Sequence, residues 1–177
     1  VIEALNQSVS IPSLIWLFLA FFMIHDFEEI IFVEGWAKKR YESVYQTIPS
    51  FYKPIFRIFN GITSSQFAFA VFIEFIIFIP VTYLAAEQQM FTWFLGYNVI
   101  FFLHVFTHAG QALLLKMYTP GVITAIIVTL PYSLYLFYRL AMEYNIQIND
   151  LIASIPYGLT IIPIVAFGHL LAKTVVR

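Results

Sequence analysis

Residues Ile11–Val33 read IPSLIWLFLAFFMIHDFEEIIFV, an apolar run that carries His25, Asp26, Glu28 and Glu29 in its second half. A helix of about 20 mainly apolar residues crosses a bilayer, so this run predicts a membrane span. A charged side chain near the middle of such a span costs from about 3 to more than 10 kcal/mol. Four neighbouring ionisable groups therefore need partners. A metal ion suits imidazole and carboxylate together.

Composition agrees with the membrane reading. Of 177 residues, 61% are hydrophobic and 11% charged, against about 25% charged in ordinary globular domains. That length holds one domain, residues 1–177, of about five spans. Cysteine is absent, which excludes disulfides and thiolate ligands. The net charge of -1 and the lack of a basic cluster argue against nucleic acid as a partner. No basic leader precedes the first apolar run, so no cleavable signal is expected.

The fold class expected is all-α, a polytopic membrane bundle of about five helices over 11–34, 62–86, 90–116, 120–141 and 151–173. Pro12 suits a first helical turn after Ser10, and Pro120-Gly121 breaks the chain between helices three and four. Pro80, Pro131 and Pro163 fall inside predicted spans as kinks or sources of free carbonyls. Between helices one and two, segment 36–60 mixes Lys38, Lys39, Arg40, Lys53 and Arg57 with seven aromatic residues. It reads either as an amphipathic interfacial segment broken at Pro49 and Pro54, or as a plain loop. Those basic residues, with Lys116, Lys173 and Arg177, fall on one side, and Arg139 on the other. The positive-inside rule makes the first side cytoplasmic, with the N-terminus outside. A bacterial inner membrane is the expected location.

His25, Glu28 and Glu29 are spaced i, i+3, i+4 and share one helical face, with Asp26 at its edge. On helix three, His104 and His108 are also i, i+4, with Tyr97, Thr107 and Gln111 along the same stripe. Helix two carries Glu74, and helix five His169. At about 1.5 Å per residue, His25 and His108 lie roughly 12 Å from the cytoplasmic ends, Glu29 and His169 about 6 Å, and His104 and Glu74 about 18 Å. One bundle could gather them. Each also has a structural explanation: the His pair as interhelical hydrogen bonders, Glu74 as a protonated acid, His169 as an interfacial histidine.

Divalent metal explains the set with fewest assumptions. Catalytic zinc takes three His or Glu ligands and a water, whose pKa falls to about 7. His25, Glu28, His104 and His108 are the first ligand candidates, with His169 the weakest. Glu29 and Glu74 are the general-base candidates or further ligands. Zinc is favoured, and iron or manganese would fit the same donors. Dinuclear iron bundles use Glu-x-x-His pairs, whereas here the order is His-x-x-Glu.

The string His25-Asp26-Phe27-Glu28-Glu29 resembles the signature of the HXXEE family of small integral membrane proteins. Looser similarity extends through Trp36, Gln66, Glu74, Asn98, His104 and Tyr118-Thr119-Pro120-Gly121. The resemblance implies that His25, Glu28 and Glu29 define the family and implies no particular reaction. The function expected from the residues is an intramembrane metal-dependent hydrolase or group transferase acting on a lipid or lipid-like small molecule. Two alternatives are a dinuclear iron oxidative or isomerising enzyme, and a proton-coupled transporter or a haem- or lipid-binding protein. Membrane lipids are the expected surroundings, and the oligomeric state is left open.

Overall fold

The computed structural model describes the backbone of residues 2–176, and their side chains other than those of residues 55 and 58. Among the described residues every regular element is helical. A short helix α1 (Ile2–Ser8) precedes the long α2 (Ile11–Thr47), and a four-residue α3 (Lys53–Phe56) lies between 3-10 turns. Then come α4 (Ser64–Gln88), α5 (Phe91–Leu115), α6 (Val122–Tyr144), α7 (Ile148–Gly158) and α8 (Ile161–Val175). Helices α4, α5 and α6, and the stretch Ile148–Val175 that joins α7 and α8, are each long and apolar enough to cross a membrane. A fifth span results if α1 and α2, bent by 101° to each other, count as one. The protein is an all-α integral membrane bundle.

Local chemistry sets the helix ends. Ser10 caps α2 by accepting from the Ser13 N–H at 3.3 Å, with Pro12 in the first turn. Thr63 and Gln66 form a reciprocal capping box at the start of α4, satisfying two amides that the helix cannot. Gln89, Lys116 and Asn145 end their helices in the left-handed conformation.

The structure differs from the sequence reading in three places. The first helix does not stop at residue 34 but runs on to Thr47, so the first half of segment 36–60 is helix rather than loop. Residues 36–47 contain no breaker, the Lys38 ammonium bonds Glu34 one turn back at 2.6 Å, and Pro49 then forces Ile48 out of helical geometry. The fifth span is broken at Leu159-Thr160, just before Pro163, which has no N–H to return to the Leu159 carbonyl. Above Pro131 the chain relaxes into a π segment, Ala125–Thr129, where the Leu130 N–H reaches back to the Ala125 carbonyl. Insertion of a wider turn relieves the clash between a proline ring and the preceding turn.

Packing follows these breaks. α4 lies between α2 and α8, while α7 runs along α5, so the broken last span changes partner at its break. At the α5–α7 crossing Gly96 meets Gly158: a Cβ on Gly96 would stand 2.6 Å from both the Gly158 nitrogen and the Ser154 carbonyl oxygen. Small residues let membrane helices approach this closely. An aromatic core fills the space between α2, α4 and α5. In it Phe18 packs on Phe78, Phe94 and Phe101 at ring separations of 5.1, 5.6 and 5.8 Å.

Candidate metal centre

Beyond Phe22 and Phe101 the apolar core gives way to polar side chains. His25 stands edge-on to Phe101 at 5.7 Å and to His108 at 5.0 Å. Helix α2 contributes His25 and Glu29, which one turn of helix sets on the same face. Helix α5 contributes His104 and His108 by the same spacing. One ligand atom from each of these four residues lies within 4.8 Å of the other three.

Hydrogen bonds fix which ring nitrogens face inward. His104 Nδ1 lies 3.1 Å from Thr107 Oγ1, and that hydroxyl spends its proton on the His104 carbonyl at 2.7 Å. Thr107 therefore accepts from Nδ1–H, and His104 Nε2 is left with its lone pair. His108 Nε2 sits 2.7 Å from His104 Nε2 and 3.3 Å from Glu29 Oε1. His25 Nε2 is buried without a hydrogen-bond partner. Unpartnered buried polar atoms are rare and expensive, and a cation among them would remove the cost.

The donor set suits a divalent metal: three imidazoles and a carboxylate, oxygen and nitrogen only. Tetrahedral ligands at about 2.0–2.1 Å from zinc are separated by about 3.3 Å. The four-residue group is therefore slightly open in its long direction and tight between His104 and His108.

Glu28, a ligand candidate from the sequence, is placed differently. Its carboxylate turns to the start of α6, accepting from the Thr124 N–H at 2.7 Å, the Thr124 hydroxyl at 2.6 Å, the Ile123 N–H at 3.3 Å and the Tyr118 hydroxyl at 2.7 Å. An anion is favoured at a helix N-terminus, where amides lack carbonyl partners. Burial, then the bond to Glu28, pushes the Tyr118 phenol well above its ordinary value, so it remains a donor. Glu74 is buried on α4 outside the four-residue group, within electrostatic reach of Glu29 and Asp26. Asp26 is buried, with one carboxylate oxygen unpartnered. His169 is not brought to the group: it packs against Phe59 and Phe67 at 5.7 and 5.2 Å.

The loop 116–121 covers the group. Trp36 Nε1 donates to the Tyr118 carbonyl at 2.9 Å. Gly121, at φ +87°, lies so close that a Cβ there would meet His108 Cε1 at 2.6 Å and Glu29 Oε1 at 2.9 Å. Tyr118 and Gly121 had a sequence signal, the turn quartet between two spans. Thr124 had none beyond being a hydroxyl residue near the start of a span. A cleft of about 420 Å³ lined by Gln89, Thr92, Asp150, Ser154 and Tyr157 opens near the other end of α5, about 18 Å along the helix from His104.

Comparison with known proteins agrees with the motif. The family model described as "Protein of unknown function with HXXEE motif" matches residues 16–136, which hold all four residues of the group. The chain is 28% identical over 152 residues to "Uncharacterized protein YrkK" of Bacillus subtilis (strain 168), covering 77% of this chain and 83% of that protein. No solved structure matches it. With His25-Asp26-Phe27-Glu28-Glu29 near the start of the matched segment, the chain belongs to the HXXEE family.

Proposed function

We infer that the protein is an intramembrane metalloenzyme, a hydrolase or group transferase with zinc as the favoured metal. The observation that carries the reading is the convergence of His25, Glu29, His104 and His108 from two helices. His25, His104 and His108 would hold the metal, and Glu29 would be either the fourth ligand or the general base. A bound zinc ion would supply Lewis acidity and a water whose pKa is lowered to about 7. As the base, Glu29, 3.3 Å from His108 Nε2, would take a proton from a nucleophile. Glu74, buried on α4 within electrostatic reach of Glu29, would be the alternative base.

Access from the bilayer supports a lipid or other apolar substrate. Thr107, which bonds His104, is exposed on α5, and a substrate entering from the bilayer would approach the group from that edge. The basic residues of segment 36–60 support placing this end at the cytoplasmic face of a bacterial inner membrane.

A second reading, proton-coupled transport, draws on the buried carboxylates of Asp26 and Glu74 beside Glu29. Buried acids along a path are the usual marks of proton relays.

Metal analysis of the purified full chain tests the choice. About one zinc per chain, lost in both His25→Ala and His104→Ala, is the expected result. Glu29→Gln that keeps the metal makes Glu29 a base, and one that loses it makes Glu29 a ligand. A folded chain that takes up no metal overturns the reading and favours transport.

A further inference from the structure

Glu28 belongs to the family's defining string yet faces away from the metal group, toward Thr124 on α6. The Thr124 hydroxyl has one proton and three neighbours: Glu28 Oε2 at 2.6 Å, Gly121 O at 3.3 Å and His25 Nδ1 at 3.1 Å. The charge-assisted bond is the shortest and strongest, so the proton goes to Glu28. The Thr124 N–H donates to the same oxygen at 2.7 Å and locks the pair in place. A Thr124 oxygen lone pair then faces His25 Nδ1, and only an N–H there makes a bond. A neutral imidazole has one N–H and one lone pair, so the lone pair falls on Nε2, which is buried and unpartnered.

We propose that Glu28 and Thr124 are positioning residues, which together hold His25 as the Nδ1–H tautomer and turn its Nε2 lone pair into the group formed with Glu29, His104 and His108. Two parts of one motif thus meet through a second helix: Glu28 orients the His25 that precedes it by three residues, with Thr124 as the bridge. Tyr118 secures the other Glu28 oxygen at 2.7 Å, so the carboxylate cannot swing away from Thr124. That Nε2 meets a metal rests on the function inferred above, whereas the tautomer does not.

The full chain in lipid nanodiscs, stripped of metal and labelled with ¹⁵N at histidine, provides the test. His25 is expected to show a protonated Nδ1 and an unprotonated Nε2 in the wild type and in Thr124→Ser. Thr124→Val, which keeps shape and loses the hydroxyl, is expected to show a tautomer mixture. Its zinc affinity is expected to fall about 10- to 100-fold, the usual effect of removing a partner behind a ligand, with Thr124→Ser restoring it. His25 with its proton on Nε2 in the wild type overturns the proposal, and so does Thr124→Val that matches the wild type in both tautomer and zinc affinity. If Thr124→Val does not fold, the wild-type spectrum decides alone. A wild type that ignores zinc while His25 keeps Nδ1–H sinks the metal reading and upholds the positioning role.

Discussion

His104 and His108, one turn apart on α5, hold their Nε2 atoms 2.7 Å from each other. That spacing fits one shared proton and is too short for two ligands of one tetrahedral ion, which sit about 3.3 Å apart. Zinc uptake should therefore spread the pair by roughly half an ångström through small rotations of both rings. A zinc-loaded structure that keeps the two nitrogens at their present distance would show that they do not share the metal.

Protons compete with metal for imidazole lone pairs. Zinc occupancy of the full chain should therefore fall as the pH is lowered and recover when it is raised again. The sign is fixed by chemistry, because a protonated imidazole has no lone pair to offer. Occupancy that rises as the pH falls would overturn ligation by imidazole.

The histidines should separate cleanly by mutation. His25→Ala, His104→Ala and His108→Ala are each expected to lose most of the bound zinc. His169→Ala, whose ring packs between Phe59 and Phe67, is expected to keep it and to lose about 1–3 kcal/mol of stability from the vacated space. Elemental analysis beside thermal unfolding in detergent measures both.

Gly121→Ala should damage both stability and the site. Its φ of +87° strains any side chain, and the new Cβ would press on His108 and Glu29. The expected loss is about 1–3 kcal/mol together with weaker zinc binding. Gly61 provides the control, with φ +67° and nothing within 4 Å of an added Cβ. Gly61→Ala should cost about 1–2 kcal/mol and leave zinc affinity unchanged.

Gly158→Ala should part α7 from α5, because the added carbon would overlap the Gly96 carbonyl. Overpacking of this kind costs typically about 1–3 kcal/mol. A lower unfolding midpoint without loss of zinc is expected, since the crossing lies well away from His104.

Much of this architecture was legible in the chain, and the reasons differ from element to element. The spans were visible because apolar runs and proline breaks are local signals. That His25 could stand near His104 and His108 was legible too, because i, i+4 spacing fixes a face and the depths overlap, although Glu28 rather than Glu29 was the first carboxylate candidate. The end of the first helix was misjudged: charged and aromatic residues after 34 read as a separate interfacial segment or a loop, while helix propensity and the Glu34–Lys38 pair continued the helix. The destination of Glu28 could not be read, since helical spacing gives a face but not the neighbour it meets. His169 shared the right depth and still lay elsewhere, because depth constrains only one of three coordinates.

The π segment Ala125–Thr129 begins one residue after Thr124. A π turn adds one residue to the α-helical count, which amounts to about 100° of phase between the residues on either side. Thr124 can thus face His25 while Tyr132 and Ser133, on the far side of the insertion, remain buried in the bundle. Deleting one residue from 125–129 would restore a regular helix, rotate Thr124 out of line with His25, and convert a local gain in regularity into a mis-set histidine. The irregular turn works as a phase adjuster between the membrane core and the polar centre.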